Sequence, residues 1–577
     1  MTGIGHHVVL DNRRLIDADE EIALRPANVV MDLERLGALH PYRLSFMRSL
    51  IRKIGRENWQ ITRAEHGLDA RGHGHVIYEI RTPRQLFSFV AFAKHLEPEN
   101  RSDRVIAEDW DMTATLCEGV VDAGRLERLR ANVPLQENGR VDATCLVLSR
   151  ANKSVRNFDY VVDCLCEGVQ PSVDILAKVG YLYRTTAVYG SGKFGLADWR
   201  KVRSEYPDFS RPFMAEMLVC YLIRQFSLDQ VEHIAHHRIG GRHMPLDPAL
   251  KRYVGIGNAT GLGMAPYLIN HPLLINRWVE ARETALARVL RDGVIDRTRF
   301  DRFLAIARQA IQHLEEIATD NLDQNAINDR TRQQLEMLLV RLNDGAGPSS
   351  WQDIMDVAGA TVGTEARELA CSILMELHPE LVDDLEDQLC EDEEYRLAPE
   401  MPLDELRRLI EDRYDWALAY DFSKDDARAT FWYRSEEKME PRLGQRGKEP
   451  GEDREMMLGI AYAVQQCHRD LLAFGSPASP ATVAAFAMAH PEHRRILRRI
   501  QTMAQTRYGE IRANLLDAGI LPIHLLRCKL SFFGVGKFDP RSRLWVRNTM
   551  FQGAPLPDEL GGPGCDEWYF PVKPQIA

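Results

Sequence analysis

From Arg211 onward apolar residues recur at helical spacing. Phe303, Ile306, Ala307, Ala310, Leu314 and Ile317 fall on one stripe, and Leu335, Leu338, Leu339 and Leu342 on another. This is the pattern of amphipathic helices turned toward a core. The same spacing sets Phe46, Leu50 and Ile54 on one face of a predicted helix over 43–54. Residues 75–80 are β-rich between glycines and predict a strand. Thr82-Pro83 then supplies an N-cap and a first-turn proline, which predicts a helix through His95. After Gly519 and Pro522 the period falls to two, at Leu530 and Phe532 and again over Leu544-Trp545-Val546. With the turn Asp539-Pro540-Arg541-Ser542 between them, these stretches predict a hairpin.

Breakers divide the pattern. Residues 344–350 form the clearest cluster, and Ser350 followed by Asp353 offers a cap for the next helix. Ser479-Pro480 marks another helix start. Leu-Cys-Glu-Gly-Val occurs twice, over 116–120 and 165–169, and each glycine reads as a helix C-cap. The acidic run 380–412 and the basic run 494–512 keep apolar residues at helical spacing and read as solvated helix faces. The fold class predicted is mainly α-helical, with small β elements near residues 75–80 and 528–551; α+β is the alternative. A chain of 577 residues exceeds what one core serves. The expected regions are a mixed α/β part (1–210), a helical part with a glycine-rich turn (211–344), a second helical part (351–520), and a hairpin with a tail (521–577).

Composition narrows the classes. The apolar fraction of 45% and charged fraction of 27% are those of a folded globular protein. A net charge of −11 gives no overall attraction to phosphate backbones, so no nucleic-acid partner is expected. No apolar run approaches the roughly 18 residues of a membrane span, so no membrane partner is expected either. The start lacks the basic and apolar regions of a secretory signal. Ten scattered cysteines without a Cys-x-x-Cys pair predict reduced thiols and a cytoplasmic location.

Candidate chemistry gathers at three glycine-rich segments: Gly190-Ser191-Gly192-Lys193-Phe194-Gly195, residues 255–263, and Gly534-Val535-Gly536-Lys537-Phe538. Glycines two apart permit positive φ and a nest of N–H groups for an anion, and Lys193 and Lys537 add charge. The first segment has the form Gly-x-Gly-x-x-Gly, but the helix and acidic-ended strand of a dinucleotide site do not follow. An anion-binding turn or a structural turn remains. The second, with Gly257, Asn258 and Thr260, lacks the Gly-Lys-Ser/Thr of a P-loop and leads toward a helix start; a packed connection is the alternative. Arg184 beside Thr185 and Thr186 suits bidentate carboxylate or phosphate recognition.

His233 and His237 stand at i and i+4, as two metal ligands on a helix would, but without the intervening Glu of a zinc protease. Metal ligand, acid–base group and exposed helix end are the three readings; His490 with His493 is a weaker pair. Glu108, Asp109 and Asp111 surround Trp110, either as carboxyls with one raised pKa or as a solvated helix start.

These residues predict an enzyme for a small anionic metabolite, bearing carboxylate or phosphate. Arg184, Gly190, Gly192, Lys193, Gly257, Asn258, Thr260 and Lys537 would hold it, and His233, His237, Glu108 or Asp109 would move a proton. The alternatives are a metal-dependent enzyme using His233 and His237, and a non-catalytic helical scaffold. No cofactor is identifiable. The partners expected are the small anion and a second copy of the chain as a homodimer.

Overall fold

The computed structural model describes residues 23–97, 99, 109–134, 144–185, 205–261, 271–317, 319–344, 347–389, 397–422, 432–435, 441–443, 455–457, 460–474, 481–510, 522–541 and 545–576. Its strands are β1 (Gln60–Leu68), β2 (Gly74–Arg81), β3 (Leu86–Ala93), β4 (Met112–Glu118), β5 (Cys145–Lys153), β6 (Tyr181–Thr185), β7 (Gly255–Gly261), β8 (Trp432–Ser435), β9 (Pro441–Leu443), β10 (Glu455–Met457), β11 (Lys537–Pro540) and β12 (Trp545–Met550). Nine form one sheet in the order β1-β2-β3-β4-β5-β6-β7-β12-β11, and β10-β8-β9 form a small second one. The two small β elements expected, near 75–80 and 528–551, are thus parts of a single large sheet. The fold is helix-rich, and a sheet of this size fits the α+β alternative at least as well as a mainly α-helical class.

Neighbours in the large sheet are antiparallel except β6 and β7, which run parallel. A parallel pair needs a long crossover, and the helix Met214–Arg238 lies within it. That helix is buried around most of its circumference because it crosses one face of the sheet. Tyr221 donates to Pro555 O at 2.8 Å just beyond β12, Phe226 packs on Tyr183 of β6, and Asp229 accepts from Tyr78 of β2 at 2.7 Å. The opposite face carries a smaller cluster, in which Ile77, Val90, Phe92, Cys117 and Leu148 meet Leu126 and Leu129 of the helix Ala123–Asn132.

Several expected helices form. The stripes at Phe303–Leu314 and Leu335–Leu342 are the buried faces of the helices Arg297–Glu316 and Leu322–Asn343. Ser350 and Asp353 make a reciprocal capping box on the helix Trp351–Thr361. A separate core joins the helices Leu403–Arg413, Ile460–Phe474, Val483–Ala489 and Arg494–Met503 through Leu406, Ile410, Val464, Phe486 and Leu497. Ser479-Pro480 lies outside the described residues. Among the described residues no helix is long and apolar enough to cross a membrane.

Three local expectations are corrected. The helix expected over 82–95 is β3, whose residues from Phe87 to Ala93 are all buried, so no period-two alternation betrays it. Thr82 does accept N–H groups, from Arg84 and Gln85, but in the tight turn between β2 and β3. The period-two stretch at Leu530 and Phe532 belongs to the helix Pro522–Phe533, and the hairpin that follows pairs Pro540 with Val546. Of the twin pentapeptides, the second caps the helix Phe158–Glu167 with Gly168 at φ 75°, whereas the first ends β4 with Gly119 at φ 73°. Glycine supplies the same left-handed residue after either element.

Buried charge ties distant segments together. Arg35 donates from Nε to Glu368 at 2.9 Å, from Nη1 to Val30 O at 2.7 Å, and from Nη2 to Glu283. Arg25 and Arg282 complete the group around the same two carboxylates. The helices Pro272–Asp292 and Thr364–Leu377 are thereby joined to residues 25–35.

Candidate functional site

The segment expected to form a nest at 255–263 is β7 as far as Gly261, and its glycines serve closeness rather than positive φ. A Cβ on Gly255 would lie 2.4 Å from Met550 O, and one on Gly257 would lie 2.5 Å from the Tyr181 ring. Glycine in a strand marks such a close approach. Because β6 and β7 are parallel, their carboxyl ends share one edge, the arrangement beside which open α/β sheets hold ligands.

Register fixes which side chains meet there. Arg184 pairs with Gly257 on one side and Asn152 on the other, Ala259 pairs with Arg547, and Arg547 pairs with Asp539. Paired residues share a face, as do residues two apart. One face therefore carries Gly257 and Ala259, with Arg184 along one side, Arg547 along the other, and the Tyr181 ring lying over Gly257. Asp539 lies beyond Arg547, and Arg150, two residues before Asn152, stacks over Trp110 at 4.3 Å.

These groups are buried, Arg184 at 9%, Arg547 at 6% and Asp539 at 2% exposure. Arg547 Nη1 and Asp539 Oδ1 have no hydrogen-bond partner. Burial pushes the Asp539 carboxyl above its ordinary value, although the cations of Arg541, Lys537 and Arg547 oppose this. On the reverse face Asn258 pairs with Asn548. Asn258 Nδ2 donates to Thr185 O, while Asn258 Oδ1 and both amide atoms of Asn548 are unpartnered. Roughly nine in ten buried polar groups are satisfied in folded proteins, so five open atoms on three adjacent strands form a local concentration.

The other expected residues divide. Gly190, Gly192, Lys193 and Glu108 lie outside the described residues, and of Thr260 the backbone alone is described, paired with Val546. Asp109 comes near, since Asn152 Nδ2 donates to its carbonyl at 3.4 Å. Of the carboxyls expected to be raised there, Asp109 is lowered instead. Burial pushes Asp109 up, but hydrogen bonds from Lys94 and from Trp110 N–H more than reverse that and hold it below its usual value. Asp111 accepts from Lys153 N at 2.9 Å, a structural use.

Lys537 is not a mobile charge. Its Nζ donates to Ala177 O at 2.6 Å and Lys178 O at 3.1 Å, and burial lowers its pKa to about 8.

His233 and His237 are not brought to this face. They lie near the β1–β2 turn, where His233 Nε2 meets Asp69 O at 2.8 Å and His237 Nδ1 meets His233 O at 2.9 Å. Burial, with the neighbouring His237 and His236 adding to it, lowers the His233 pKa. Among the described residues, the grouping of three or more side chains with ligand atoms close enough for a metal occurs elsewhere.

A cavity of about 40 Å³ is lined by His40, His313, Arg527, Ser531 and Tyr569. Such a volume holds about two or three waters, and its ionisable groups are occupied. His313 faces Pro571 O at 2.7 Å and Gly536 O at 3.2 Å, and His40 and Arg527 share Glu365. The strand face is the better candidate.

No protein-family model, curated protein or solved structure matches the chain.

Sequence reasoning missed Arg547, Asp539 and Asn548. The available signal was charged and amide residues alternating with Phe538, Val546 and Met550 in the hairpin. Nothing local connects residue 547 with residue 184.

Proposed function

We propose that the protein binds a small carboxylate- or phosphate-bearing metabolite on the β6–β7–β12 face and acts on it by proton transfer. The observation that carries this reading is the buried Arg547 beside Ala259 and Asp539, with one Arg547 N–H unanswered and Arg184 on the same face. A guanidinium offers paired donors that match a carboxylate or phosphate edge. Asp539, buried beside Arg547 and biased toward its protonated form, is the group suited to give or take a proton.

A thermal-shift titration of the full chain with inorganic phosphate, pyrophosphate and small mono-, di- and tricarboxylates tests the reading. A ligand confined to the folded state adds about 2.7 kcal/mol at a hundred times its dissociation constant. One anion class should raise the melting temperature, and Arg184→Ala should remove that response. A flat response to every class would overturn the proposal.

A further inference from the structure

The second helical core ends in a chain reversal that collects metal-binding side chains. The helix Val483–Ala489 stops at His490, Pro491 opens a short 3-10 turn through His493, and the helix Arg494–Met503 follows. The helix Ile460–Phe474 brings Asp470 against this turn. His493 Nε2 lies 2.7 Å from Asp470 Oδ2, and His490 Nδ1 lies 3.2 Å from Glu492 Oε1. One ligand atom from each of Asp470, His490, Glu492 and His493 falls within 4.8 Å of the other three.

We propose that these four residues bind a zinc ion that fastens the helix Ile460–Phe474 to the turn at residues 490–493. Zinc takes four nitrogen or oxygen ligands tetrahedrally at about 2.0–2.2 Å, so its ligand atoms stand roughly 3.3 Å apart. The observed separations reach that spacing through small side-chain rotations. Two imidazoles with two carboxylates favour zinc over calcium or magnesium, which prefer all-oxygen sites.

The imidazoles are also held in place. Phe486 lies against His490 at 4.8 Å and nearly parallel to His493 at 5.8 Å, and Phe474 closes on His490 at 5.7 Å. Such packing fixes ring orientation before a metal arrives. His493 is buried, Asp470 and His490 are half-buried, and Glu492 is exposed, which leaves a path for the ion. The neighbouring Arg494 guanidinium donates to Ala487 O at 3.0 Å and contacts Met488 Sδ, so its hydrogen bonds go to other atoms.

The test uses the full chain, stripped with a chelator, dialysed, and titrated with zinc sulfate by calorimetry while melting is followed. One zinc per chain is expected, with a rise in melting temperature. His490→Gln and Glu492→Gln each remove a partly exposed ligand and leave the His493–Asp470 pair in place. Each should weaken zinc at least about ten-fold, the lower cost of losing even a supporting residue around a metal, while circular dichroism matches the parent. His233→Ala should leave zinc binding unchanged. Absence of stoichiometric zinc, zinc binding that survives both Gln substitutions, or loss in His233→Ala would each overturn the assignment.

Discussion

Arg35 and Arg547 are both buried, yet their surroundings differ in kind. Each Arg35 nitrogen meets an acceptor, Glu283, Glu368 or Val30 O, and both carboxylates accept from more than one arginine. Arg547 lies beside Asp539 and Ala259 with Nη1 unpartnered. The Arg35 cluster holds elements together through shared carboxylates, although Arg282 Nε within it is also unpartnered. An unsatisfied buried donor costs about 1–3 kcal/mol, and an external anion would relieve that cost. The contrast sets a structural use of arginine beside the binding use proposed for Arg547.

The largest effect that would break this contrast belongs to the Arg35 cluster. Glu368→Ala leaves Arg25, Arg35 and Arg282 to share Glu283 and should cost about 3–5 kcal/mol, as removal of one partner of a buried ionic group does. Urea unfolding checks it, and a loss near zero would mean that the cluster is not structural.

Acid gives the next effect. Burial alone would raise the Glu368 carboxyl, but Arg282, Arg35 and Arg25 outweigh it and bring the pKa from 4.5 to about 2. Glu365, held by Arg527 and His40, likewise falls to about 2. A carboxyl depressed in the folded state contributes stability above its unfolded pKa and loses it as pH falls through the folded one. Unfolding free energy should therefore drop from about pH 4.5 toward pH 2, and Glu368→Gln should make that drop shallower. The smallest effect belongs to an exposed pair. Lys94 and Asp109 are 49% and 44% exposed, so Lys94→Ala should change stability by no more than about 1 kcal/mol in the same urea assay.

Local rules made part of this molecule legible. Helices with one apolar stripe, such as Arg297–Glu316, announce themselves by period, and the Ser350–Asp353 cap by its spacing. β2 was equally readable, as was the pairing of the segments on either side of residues 541–544. β3 was not, because burial on both faces erases alternation and Thr82-Pro83 resembles a helix start. The 255–261 stretch misled for a different reason: glycine needed for strand contact looks in sequence like glycine needed for a turn. Arg184 and Asn258 were singled out as candidates for a site, but their pairing with Arg547, Asn548 and Asp539 depends on a parallel crossover and a hairpin nearly 300 residues later. Only the assembled sheet places those residues together. The Asp470–His493 contact is hidden in the same way, since helix packing rather than spacing creates it.

Calorimetric titration of the anion class that stabilises the wild type, repeated on Arg547→Ala, tests the central claim most directly. The account predicts that the variant melts within a few degrees of the wild type and binds that anion at least about ten-fold more weakly, the loss of roughly 1.4 kcal/mol expected for one charge-assisted contact. Unchanged affinity in a folded Arg547→Ala protein would contradict it.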